Sequence, residues 1–137
     1  IFMKIKSKLS TIIQKALINA KAAITYKNKN IDAFYRALSQ SLIGKIYFEQ
    51  GKLNYALKHS LIAAEMAKNY KNKETLINVY AQLSDIYKKM NNTDKVLYYN
   101  ELESNIRDVV LNEKQREIIN TLIIEYKIEK KDKEIIQ

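Results

Sequence analysis

His59, in the phrase LKHSLI, is the only imidazole of a chain that contains no cysteine at all. A lone histidine could accept a phosphoryl group. It cannot complete a Cys–His nucleophile or a multi-histidine metal site, because the partners for either are missing. Glu101 and Glu103 could share acid–base work only by facing one substrate. Two apart on a helix, they point about 200° from one another. A phosphate-cradling loop needs glycines, and Gly44 and Gly51 are the only two. Catalytic residues, metal ligands and cofactors are therefore not expected in this chain. The expectation is a binding protein.

The elements that would carry a binding surface are helical. Proline is absent, and with two glycines a sheet protein would lack turn-formers. The 137 residues suffice for one domain with a real core. The longest apolar runs, such as Leu61 to Ala64, are four residues long. A membrane span needs about 20, so no transmembrane segment is expected. The chain opens on Ile1 and not on methionine, and reads as a fragment or processed product.

Charge is distributed unevenly. Residues 1–30 hold seven lysines and no acid, whereas residues 112–137 hold six bases and six acids. A basic end invites nucleic acid or anionic lipid. Lys15 and Lys21, however, lie about 240° apart on the expected helix, so they form no single stripe. Specific nucleic-acid binding is not expected, and any association should stay near the non-specific range of about 10⁻⁴–10⁻⁶ M.

Apolar spacing of three and four predicts six helices. The first runs from about Thr11 to Tyr26, with Ile12, Ile13, Ala16, Leu17, Ala20, Ala23 and Ile24 inward. The second spans Ile31 to Gln50 through Phe34, Leu38, Leu42, Ile46 and Tyr47, and Gly51 stops it in a left-handed cap. The third spans Leu53 to Tyr70, with Ala56, Leu57, Leu61, Ala64 and Ala67 inward. The fourth runs from Glu74 to Met90 and ends at Asn91-Asn92. The fifth runs from Thr93 to about Val110, and the sixth follows from Asn112.

Within this series the sequence repeats. LIGKIYFEQGKLNYAL, residues 42–57, aligns with QLSDIYKKMNNTDKVL, residues 82–97, at a shift of 40. Ile46 meets Ile86, Tyr47 meets Tyr87 and Leu57 meets Leu97. Small Gly44 meets Ser84, cap-forming Gly51 meets Asn91, and Ala56 meets Val96. YKNKN at 26–30 and YKNKE at 70–74 read as the connections between repeated units.

Gly44, Tyr47, Gly51 and Ala56, followed by Ser84, Tyr87, Asn91 and Val96, resemble the tetratricopeptide repeat. The signature of that repeat has a small residue, an aromatic three later, a helix-ending glycine and an alanine five beyond it. The usual unit is about 34 residues, so a spacing of 40 implies longer helices. The resemblance covers residues 10–111 and implies an all-α, TPR-like superhelix of antiparallel helix pairs. Residues 1–111 would hold about two and a half repeats, with Tyr47 and Tyr87 in equivalent interior positions, and residues 112–137 would form an extended C-terminal helix. It also implies a concave groove that receives a protein or peptide, lined by Ser41, Lys45, Phe48 and Glu49 from one repeat and Asn78, Asp85, Lys88 and Lys89 from the next. His59 then falls on the second helix of a repeat, as a surface or groove residue.

The C-terminal helix carries a stripe of Leu111, Ile118, Leu122 and Tyr126, with Ile119 and Ile123 beside it, before a charged run from Lys127 to Glu134. Its first half is expected to dock over the last repeat and its second half to project; alone, it could pair two copies as a homodimer. Asn112, Glu113, Lys114, Gln115, Ile118, Leu122, Tyr126 and the charged residues after them resemble the helix that follows tetratricopeptide repeats in bacterial signalling proteins. That resemblance implies the sensory or scaffold part of a signal-transduction or transcription regulator, whose output domain lies elsewhere. A periplasmic portion of a membrane-anchored protein is the favoured setting. A cytoplasmic peptide-pheromone receptor is the alternative.

Overall fold

The computed structural model describes residues 2–25 and 32–136, and every described element is helical. The helices are α1 (Phe2–Thr25), α2 (Asp32–Glu49), α3 (Leu53–Asn69), α4 (Lys73–Lys89) and α5 (Thr93–Ile136). The chain divides into two compact units, Ile1–Glu103 and Ser104–Gln137. YKNKN at 26–30 lies outside the described residues.

The same turn occurs three times at 20-residue intervals. Gly51, Lys71 and Asn91 each adopt a left-handed conformation, with φ of 75°, 52° and 59°. In each, the N–H of the following residue reaches back to a carbonyl in the last helical turn: Lys52 to Tyr47 at 2.9 Å, Asn72 to Ala67 at 2.9 Å and Asn92 to Tyr87 at 3.0 Å. This bond belongs to the Schellman motif, which satisfies carbonyls that the helix end would leave orphaned. Asn72 and Asn92 then start the next helix, their Oδ1 atoms accepting the N–H of Thr75 and Lys95, each at 3.2 Å. Three-residue turns of this kind reverse the chain at each junction. Contacts confirm it for α2 and α3, where Tyr47 lies on Tyr55 and Gln40, further back, meets His59, further on.

Side-chain contacts repeat at the 40-residue shift that the sequence shows. Tyr47 stacks on His59 with ring centroids 5.5 Å apart, and Tyr87 stacks on Tyr99 at 5.6 Å. Gln40 approaches His59 in the first set, and Tyr80 approaches Tyr99 in the second. Gly44 sits against Ser60; forty residues later Ser84 donates a hydrogen bond to Asn100 at 2.6 Å. Tyr47 and Tyr87 are thus equivalent, although both are half-buried and not interior.

The core is built from small residues and short aliphatics: Ala37, Ile43, Ala56, Ala63, Ala67, Val79, Leu83 and Ile86 are buried. Four details differ from the sequence expectation. α1 begins at Phe2, nine residues before Thr11, and this places Lys4, Lys8 and Lys15 within about 40° of one another on one side. α2 is rotated by about one residue: Ala37, Gln40 and Ile43 face inward, while Phe34, Leu38 and Leu42 are exposed. Ile12 and Leu61, read as inward, are exposed too. The fifth and sixth helices are one, α5, because no cap or breaker separates Val110 from Asn112.

The apolar stripe of residues 111–126 also departs from expectation. Leu111, Ile118, Leu122 and Tyr126 are all exposed, as is every described residue after Val110, so the burial expected of its first half is not found.

Candidate cleft between the second and fourth helices

α2 and α4 meet over a hinge of small side chains. Gly44 is buried where α3 and α4 converge on it, and a Cβ there would come within 2.7 Å of Gln82 Nε2 and 3.2 Å of the Ala56 carbonyl. Only hydrogen in place of a side chain allows that approach. Gln82, on α4, uses the space: its Nε2 donates to the Ser41 carbonyl at 3.1 Å and to Ser60 Oγ at 2.7 Å. One amide therefore ties three helices together, and Ser60, which is fully buried, has its hydroxyl satisfied.

Above this tie lies a cleft of about 510 Å³. α2 contributes Leu38, Ser41, Leu42, Lys45, Phe48 and Glu49; α4 contributes Asn78, Ala81, Gln82 and Asp85. At 100° per residue each set falls within an arc of about 120°, so each helix presents one continuous face. Six of the eight residues expected to line a groove are brought together here: Ser41, Lys45, Phe48, Glu49, Asn78 and Asp85. Lys89 lines a smaller neighbouring hollow with Phe48, Glu49, Gly51 and Leu53. Lys88 is exposed and lines neither.

Four lining residues escaped the sequence reading. Helical phase points Leu38 and Leu42 to the core, although they share a face with Lys45 and Glu49. Ala81 and Gln82 lie three and four residues beyond Asn78, a spacing that could have found them. The cleft offers apolar surface from Leu38, Leu42, Phe48 and Ala81, one cation from Lys45 and two carboxylates from Glu49 and Asp85. Such a surface suits a segment with an apolar anchor and charges of both signs.

His59 stands outside this cleft, between α2 and α3. Its Nδ1 lies 2.7 Å from the Gln40 side-chain oxygen, an acceptor, which places a proton on Nδ1. The ring stacks on Tyr47, and Lys21 and Lys52 lie 5.8 and 5.9 Å from the Tyr47 ring centre. Burial, and then the positive charges of Lys58 and Lys21, hold the imidazole below its ordinary value of 6.5. The structure thus ties this histidine into packing between two helices, and Glu101 and Glu103 stay on different sides of α5.

Among the described residues, no three His, Cys, Asp or Glu side chains are grouped so as to hold a metal ion. None of the described helices is long and apolar enough to cross a membrane. Compared with models of known protein families, with curated proteins and with solved structures, the chain matches none.

Proposed function

We propose that this chain is a non-catalytic module that binds a protein or peptide segment in the cleft between α2 and α4. The observation that carries the reading is the lining of that cleft: Phe48 and two leucines beside Lys45, Glu49 and Asp85. Binding sites combine apolar area with a few polar groups that fix orientation. The 20-residue period of the turns and the duplicated stacks at Tyr47 and Tyr87 support a tetratricopeptide-type repeat, in which such a face receives extended or helical segments. A role as the sensory or scaffold region of a bacterial signal-transduction or transcription regulator, with residues 112–137 leading to an output domain, rests on the sequence resemblance alone.

The test is selection from a random peptide library displayed on phage, followed by titration of an enriched synthetic peptide. Phe48→Ala and Asp85→Lys should each weaken the selected peptide by tenfold or more, about 1.4 kcal/mol. Lys68→Glu, on the exposed side of α3, should leave it unchanged. No enrichment, or enriched peptides indifferent to both cleft substitutions, would remove the proposal.

A further inference from the structure

We infer that residues 111–126 of α5 form a self-association seam through which two copies of this chain pair side by side and antiparallel. Every described residue from Leu111 onward is exposed, including Leu111 at 54%, Ile118 at 59%, Leu122 at 58% and Tyr126 at 66%. These four fall within about 80° of one another around the helix, so they make one stripe. A single helix in water gains little stability by itself; most of it comes from packing an apolar face.

Charge identifies the occupant. The chain as a whole carries +9, yet residues 112–137 hold six bases and six acids. A nucleic acid or an anionic membrane finds no net attraction at this segment, and a second copy meets no net repulsion. The edges of the stripe give the direction. Lys114 and Glu125 share one edge, within about 20° of each other, and their midpoint, between residues 119 and 120, lies one residue from the middle of the stripe. Antiparallel pairing about that point sets Lys114 of each copy opposite Glu125 of the other, twice, and brings Ile118 and Leu122 to within one residue of facing each other. Parallel, in-register pairing would bring Lys114 toward the opposite edge, where Asn112 and Ile119 offer it no opposite charge.

Sedimentation of the full chain across a concentration range tests the pairing. A monomer–dimer equilibrium is expected, with Leu122→Lys weakening it at least tenfold while helical circular dichroism keeps the parent's amplitude. Glu117→Lys, on the far side of the helix, should leave the equilibrium unchanged. Because the chain has no native cysteine, single cysteines report the direction. Ile119→Cys should crosslink to its counterpart under oxidation. Leu111→Cys should not, since antiparallel pairing places the two copies of residue 111 about 26 Å apart. A monomer at every concentration, a dimer indifferent to Leu122→Lys, or efficient crosslinking through position 111 would overturn the proposal.

Discussion

Replacing Gly44 by alanine should destabilise the fold even though alanine is the better helix former. In an unstrained helix the exchange would gain about 1 kcal/mol. Here the new methyl meets the Ser60 hydroxyl, stands 2.7 Å from Gln82 Nε2 and 3.2 Å from the Ala56 carbonyl. The Gln82 amide can swing away, but only by giving up its bonds to Ser41 and Ser60, each worth about 1 kcal/mol net. The Ala56 carbonyl is backbone and can yield only by moving α3. Overpacking of this kind costs about 1–3 kcal/mol. Adding the two lost hydrogen bonds and subtracting the helical gain leaves a net loss of about 2–4 kcal/mol.

Urea unfolding followed by helical circular dichroism measures that loss, and a double-mutant cycle assigns it. Ser60→Ala removes the hydroxyl in the way, so Gly44→Ala should cost less in that background than in the parent, with a coupling of about 1 kcal/mol. Ser84→Ala, at the equivalent place 40 residues on, loses only the hydrogen bond to Asn100 and should cost about 1 kcal/mol. A Gly44→Ala variant as stable as the parent, or more stable, would refute the close approach of α2, α3 and α4 at this point.

At the turn between α3 and α4, Lys71 holds φ at 52° where the equivalent positions carry glycine and asparagine. The left-handed conformation costs an L-residue roughly 1–2 kcal/mol, and glycine surrenders about half of that gain as unfolded-state entropy. Lys71→Gly should therefore raise stability by about 0.5–1 kcal/mol, measured by the same urea titration; a loss would mean that the turn is not left-handed. For His59 the folded value lies below 6.5, so the unfolded chain binds the proton more readily. The stability this group contributes is present above pH 6.5 and is lost as pH falls toward the folded value. Proton NMR of the single histidine should give a midpoint below 6.5, moved upward by Lys58→Ala; a midpoint at or above 6.5 in the parent would contradict its packing between α2 and α3.

The sequence by itself determined the all-helical class, the ends of α2 to α4 to within a residue or so, and the 40-residue repeat, but not where α1 begins or that α5 runs on past Val110. Absence of proline leaves α2 to α4 uninterrupted, and Gly51 and Asn91 end helices because glycine and asparagine tolerate positive φ. These are local properties of the chain, and local properties can be read along it. The 40-residue shift was equally legible, since Ile46 and Tyr47 recur at Ile86 and Tyr87 where the packing recurs. Tertiary structure alone decided how α2 is rotated about its axis, whereas the inward alanines of α3 were legible in the sequence. In α2, alanine and leucine alternate closely enough that two faces satisfy the same periodicity. The choice fell to Gly44, whose missing side chain lets α3 and α4 approach only from one direction, leaving Leu38 and Leu42 at the rim of the cleft. Lys71 shows the same limit: no lysine announces a left-handed turn, and it adopts one because the helices on either side must reverse there. The exposed stripe of α5 likewise carries a core-like sequence; whether such a stripe is buried depends on what packs against it, a property of neighbours and not of the stripe.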